Sequence, residues 1–136
     1  MKKTLEIINN YKVEYTNGDH IYFLLDNDEV VYIGRTTKVY PPITNHGDKV
    51  FTHVSMPPID SFNFDGTIFE LFLNLILELR PKYNTVLPDN KYYMRKSMMK
   101  KKFDITGYEI NRLIKKNGAH PVYLDYYDIR DIFRYD

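Results

Sequence analysis

The sequence predicts a small α/β fold of the α+β kind: a three-stranded antiparallel sheet flanked by helices, followed by a small basic C-terminal extension. Three observations predict it. Residues 20–25 and 29–34 are runs rich in Ile, Tyr, Phe, Leu and Val, and Asp26-Asn27-Asp28 between them is a hairpin turn that tolerates positive φ. Ile68 to Arg80 is apolar most of the way round at helical spacing, the pattern of a largely buried helix. Thr106 to Lys116 is an amphipathic helix, with Thr106 and Glu109 forming a capping box and Gly118 a C-terminal stop.

The remaining elements follow in order. Residues 4–15 mix apolar and polar side chains without a clean period, which suits a short helix or strand, and Asn17-Gly18-Asp19 is a turn. Thr36 to His46 is broken by Pro41-Pro42, because two prolines remove amide donors and clash with a preceding helical turn. At most a helix begins at Pro42, where a first-turn proline is tolerated. Val50 to Ser55 alternates as a third strand, which Pro57-Pro58 ends. Asp65-Gly66-Thr67 leads into the apolar helix and Pro81 stops it. Pro121 to Leu124 reads as a short strand, and residues 126–135 as a last short element. No repeat or low-complexity linker interrupts the chain. The expected organisation is residues 1–90 as the main domain and 91–136 as a basic extension, either packed on the first part or extending it.

At 136 residues, with 43% hydrophobic and 15% aromatic side chains, the chain can bury a core. Thirteen tyrosines give much of the aromatic surface a polar tip. The absence of cysteine excludes a disulfide framework and a thiolate metal site. No apolar run reaches membrane-spanning length, and residues 1–15 lack the apolar centre of a signal peptide. A soluble cytoplasmic protein without membrane partners is the expectation.

The net charge of +1 hides an asymmetry: eight Lys/Arg face twelve Asp/Glu over residues 1–90, and eleven face six over 91–136. The basic excess centres on the run from Tyr92 to Lys102, which holds Arg95, Lys96, Lys100, Lys101 and Lys102. Such a segment is either a phosphate-contacting surface or a solvated face. Arg112 and Lys115 on the capped helix, with Lys116, extend the same candidate surface.

His20-Ile21-Tyr22 and Tyr32-Ile33-Gly34 stand at the ends of the hairpin, with nine residues between Tyr22 and Tyr32. His46-x-x-Lys49-x-Phe51 and Arg80-Pro81-Lys82-Tyr83-Asn84 follow. In this order, across residues 19–84, these segments resemble the GIY-YIG endonucleases, with His20 where the family has its first glycine. The resemblance implies a scaffold for metal-assisted hydrolysis of phosphodiesters in DNA. It places Tyr22 and Tyr32 at the two tyrosine positions, makes Arg35 a phosphate-contacting helper, and lets His46 contact substrate and Lys49 nucleic acid. A glutamate on the buried helix would hold Mg or Mn.

Two positions depart from the pattern. Pro42 stands where the family arginine is expected, and Phe72 where the metal-binding glutamate is expected. The nearest acid, Glu70, is two residues from Phe72, which on a helix turns the side chain by about 200°. Glu70 therefore serves as catalytic residue and metal ligand only if the helix is locally shifted. Three functions remain: a nucleic-acid-binding protein with weak or lost cleavage and no metal; an active endonuclease using Tyr22, Tyr32, Arg35 and Glu70 with Mg or Mn; and a regulator or inhibitor that binds another protein.

Overall fold

A computed structural model describes residues 2–12, 18–38 and 46–133. Pro42, and with it the helix start expected there, lies outside the described residues. In order the elements are helix α1 (Lys2–Tyr11), strands β1 (His20–Asp26), β2 (Glu29–Thr36) and β3 (His53–Ser55), a 3-10 turn (Ile59–Phe62), helix α2 (Ile68–Leu79), strand β4 (Tyr93–Met94), helices α3 (Lys96–Phe103) and α4 (Gly107–Asn117), strand β5 (Tyr127–Asp128) and helix α5 (Ile129–Ile132). The architecture is α+β, built on an antiparallel three-stranded sheet of order β2-β1-β3.

The β1–β2 hairpin closes through Asn27, which takes positive φ (55°), and its backbone N–H donates to Thr52 Oγ1 at 2.7 Å. The register sets Tyr22 opposite Gly34 and Ile21 opposite Arg35. Successive side chains leave a strand on opposite faces. Ile21, Phe23 and Ile33 therefore meet Leu71, Leu75 and Ile76 of α2 in the main core, while Tyr22 and Leu24 pack on the other face with Phe51, Met56 and Tyr83. Val31, two residues from Ile33, joins that second face because the pairing register shifts between Leu24 and Leu25. The third strand is shorter than the alternation from Val50 to Ser55 implies. Before His53 the chain is held to β1 by a single backbone bond, Thr52 N–H to Leu25 O at 2.7 Å.

Helix α2 starts at Thr67, whose hydroxyl accepts the Glu70 N–H, and ends at Arg80 in the left-handed region (φ 49°), one residue before Pro81. Arg80 contributes more than a cap, because its guanidinium donates to Val122 O at 3.0 Å and lies 5.1 Å from the Tyr123 ring.

Beyond α2 the chain doubles back along β2, the outer strand of the sheet. Tyr83 N–H donates to Val31 O at 3.0 Å. The Asn84 side chain then accepts from Ile33 N–H at 2.8 Å and donates to Ile33 O at 2.9 Å. One buried amide thus occupies part of the free edge that an outer strand otherwise exposes.

Residues 91–136 contribute a second cluster, built on Met94, Met99, Ile110, Ala119 and Ile132. Its ribbon pairs Tyr93 with Asp128 and Met94 with Tyr127. The expected capping box appears as Glu109 N–H donating to Thr106 Oγ1 at 3.2 Å, and Gly118 closes α4 in the left-handed region. The strand expected over Pro121 to Leu124 is only a tight bridge between Tyr123 and Tyr126, with Leu124 at positive φ. Both tyrosines enter the main core. Tyr123 Oη donates to Asn84 O, and Leu87 N–H donates to Tyr126 Oη at 3.0 Å. Helix α1 leaves every residue exposed, including Leu5, Ile7, Ile8 and Tyr11.

Asn84→Ala leaves the N–H and C=O of buried Ile33 unpaired. We expect it to destabilise the fold by about 2–6 kcal/mol, at roughly 1–3 kcal/mol for each of the two orphaned buried groups. The measurement is the urea midpoint at unchanged slope, and a shift no larger than that of the exposed control Val86→Ala contradicts the clamp.

Candidate functional site

Tyr22 is buried in the middle of β1 with its ring directly over Gly34. A Cβ on residue 34 would overlap that ring, so the glycine of Tyr-Ile-Gly is required by the tyrosine across the strand pair. The Tyr22 hydroxyl shares a 2.8 Å hydrogen bond with Nε2 of His46, which is also buried. Tyr32 completes the group, its ring centroid 4.9 Å from that of His46 and 6.2 Å from that of Tyr22.

Lys49 closes the other side. Its ammonium stands 4.9 Å from the Tyr32 centroid and 6.0 Å from that of Tyr83, and pairs with Asp48 at 3.2 Å. Tyr83 is fixed by Val50 N–H donating to its Oη at 3.0 Å. The structure therefore brings Tyr22, Tyr32, His46 and Lys49 together, from two strands and the segment entering β3.

Arg35 and Glu70 are elsewhere. The register puts Arg35 on the α2 side of the sheet, where its guanidinium lies 4.2 Å over the Phe69 ring and 3.8 Å from Asp19. Glu70 points back along the first turn of α2 toward Gly66. The four residues of the active-enzyme alternative do not form one constellation.

Phe72 does face the cluster. With Tyr32, Lys49, Ile76, Tyr83 and Asn84 it lines an open cleft of about 400 Å³ beside the outer edge of β2. The helix position from which the resemblance implies a carboxylate thus carries a benzyl ring. Around it stand phenols, an amide and an ammonium. Mg and Mn require hard oxygen donors, preferably anionic, so this donor set does not suit them. Among the described residues no group of three or more His, Asp or Glu converges as a metal site.

Burial, with Tyr32 adding to it, pushes the Tyr22 phenol up to about 12. Tyr22 therefore holds its proton at neutral pH and is not a base there. His46 moves the other way: burial first, and then the neighbouring Lys49 cation, lower it against the opposing pull of Asp48. A neutral imidazole is the acceptor that the Tyr22 O–H needs, and Nδ1 then carries the ring proton. That buried Nδ1 has no hydrogen-bond partner among the described residues.

The candidate nucleic-acid residues divide by role. Lys96, Lys100, Lys101 and Lys102 are exposed along α3, and Lys115 is exposed on α4. Arg112 is held by Glu109 through bonds of 2.6 and 3.1 Å. Arg95 is a structural link, since it donates to Asp125 at 2.9 Å and to Thr85 O at 2.8 Å and stacks 4.7 Å from the Tyr126 centroid. Sequence reasoning missed a cluster of Tyr92, Phe103, Arg130 and Phe133, whose signal was the interleaving of aromatic and cationic residues after Tyr92.

Against this chain no protein-family model matches, and neither does any curated protein or solved structure.

Both shifted groups give pH signatures. Tyr22 is raised in the folded state, so its contribution is complete below pH 10 and is lost as pH climbs toward about 12. Two units correspond to on the order of 2–3 kcal/mol. Tyr22→Phe should flatten the loss of stability across that interval, and an unchanged alkaline slope contradicts the burial argument. His46 is lowered in the folded state, so its contribution is present above about pH 6.5 and is lost as pH falls through the folded value. His46→Gln should shrink the stability difference between neutral and mildly acidic buffer, read by urea unfolding at each pH.

Proposed function

We propose that this chain is a nucleic-acid-binding protein on a GIY-YIG endonuclease-like scaffold, with phosphodiester cleavage weak or lost. One observation carries the reading: Phe72 occupies the wall of the cleft shared by Tyr32 and Lys49, where the scaffold's chemistry calls for a carboxylate. A leaving oxygen at such a wall gains no metal and no charge stabilisation. Tyr22, held neutral, serves as a hydrogen-bonding and packing group. Lys49 supplies one cation against a phosphate at the cleft, and the lysines of α3 supply the larger sequence-independent attraction. DNA is the partner this arrangement favours, in a cytoplasmic setting that accords with a chain free of cysteine.

The test incubates the full chain with supercoiled, linear and branched DNA in magnesium, manganese or chelator, and follows binding by anisotropy and cutting on gels. The expected result is binding that survives chelator and weakens steeply with salt, with little or no cutting. Robust metal-dependent cutting abolished by Glu70→Ala would overturn the reading in favour of an active endonuclease. No binding to any of the three DNAs would overturn its nucleic-acid part.

A further inference from the structure

On α3, α5 and the segment leading into β4, residues 91–133 build a second recognisable surface. Tyr92, Phe103, Ile129, Arg130 and Phe133 line a concavity of about 330 Å³. Phe103 and Phe133 form one wall, their ring centroids 4.8 Å apart and their planes inclined by 51°. Tyr92 and Arg130 form the other, with the guanidinium carbon 3.9 Å from the ring centroid. That guanidinium is locked flat, because Nε and Nη2 donate to the two carboxylate oxygens of Asp128 at 2.9 and 2.7 Å. The side chain whose charge would otherwise be drawn into the concavity is thereby neutralised, and what remains is a rigid planar face.

Three aromatic rings and a guanidinium face, with Ile129 beside them, line the concavity. They match a flat heteroaromatic ring, which stacks on phenyl, phenol and guanidinium faces alike. The last turn of α3, which ends at Phe103, carries Lys100, Lys101 and Lys102, all exposed and splayed about 100° apart round the helix, with the Lys102 ammonium 5.9 Å from the Phe103 ring. An aromatic concavity next to a cationic helix end is complementary to a base joined to a phosphate backbone.

We propose that this pocket takes an unpaired nucleobase from a single nucleic-acid strand, with the α3 lysines holding the flanking phosphates. The proposal rests on the nucleic-acid reading above and names its substrate class: single-stranded segments, overhangs or frayed ends rather than intact duplex. Stacking tolerates any base because every base has a π-face. The surface therefore prefers single strands without preferring a sequence.

The experiment titrates the full chain into a short single-stranded oligonucleotide carrying 2-aminopurine, in DNA and RNA versions, and into the same probe annealed as a blunt duplex. Expected are strong fluorescence quenching with either single strand and weaker, unquenched binding of the duplex. Phe103→Leu, at an exposed position, should weaken single-strand binding about tenfold and remove the quenching, while duplex affinity stays within about twofold. Changing Lys100, Lys101 and Lys102 to Ala should weaken both probes and flatten the salt dependence. Circular dichroism confirms that each variant is folded. Duplex binding at equal affinity, without quenching and indifferent to Phe103→Leu, would overturn the pocket while leaving the nucleic-acid reading standing. Failure to bind any probe would overturn both.

Discussion

The Asn84 amide is the contact on which the molecule's arrangement depends. Its side chain completes the hydrogen bonding of Ile33 at the edge of β2, and its backbone carbonyl receives the Tyr123 hydroxyl. The first contact fixes where the chain goes after α2, so that Tyr83 reaches the cleft and fastens Val50. The second fixes residues 91–133 against the body. Such bonds are individually modest when exchanged against water, but leaving their buried partners unmade is costly. A single residue can therefore hold a sheet edge, a cleft wall and a neighbouring module in one geometry, through its side-chain amide and its backbone carbonyl. Arg80 and Arg95 reinforce the same seam by donating to Val122 O and Thr85 O. That seam explains why residues 91–136, distinct in charge, still send Tyr123 and Tyr126 into the first core.

The cleft beside the seam has a coherent physical character. Burial keeps Tyr22 protonated and His46 neutral, so the hydrogen bond between them carries no charge. The cation placed there among the described residues, Lys49, is half-buried, rests against two aromatic faces and is partly balanced by Asp48. With Phe72 as its wall, the cleft is built to present aromatic surface and one positive charge. Among the described residues no group of three or more His, Asp or Glu gathers there. The largest uncompensated charge instead lies on α3, where cations at a helix C-terminus also interact favourably with the helix dipole.

Much of the sheet and of the two long helices was legible because local signals and tertiary demands coincided there. Asn27 supplies the turn conformation, Thr67 and Thr106 supply hydroxyl caps, and the apolar band of α2 faces one sheet. The misreadings arise where long-range contacts decide. Val50 alternates like a strand residue, yet its N–H goes to Tyr83, 33 positions away, rather than to β1. The Tyr123–Tyr126 bridge is held by hydrogen bonds to Asn84 and Leu87, which no local pattern encodes. For the site, the tyrosines, His46 and Lys49 converge, but residue 35 faces away because the register pairs it with Ile21, whose side chain points to α2. A one-residue parity of that kind becomes visible only once both strands are paired.

The residues that carry the GIY-YIG resemblance and the residues that would carry its chemistry are different sets. Gly34 is needed because Tyr22 lies across it, Tyr22 because it fills one face of the sheet, and Tyr83 and Asn84 because they clamp the edge strand. Each of these has a sufficient reason in packing or hydrogen bonding, whether or not a phosphodiester is ever cut. A catalytic carboxylate has no such structural reason. At position 72 a phenyl ring packs against the main core at no desolvation cost, whereas an ionised glutamate there would need a bound cation to offset its partial burial. Motifs that are architectural can thus stand in a chain whose cleft carries a phenyl ring where the resemblance implies a carboxylate. They report how these segments pack and say little about what the cleft does. Function therefore has to be argued from the charge and shape of the surfaces, which is why the proposed nucleic-acid surface rests on the lysines of α3 and the aromatic concavity of Tyr92, Phe103, Arg130 and Phe133 and not on the motifs.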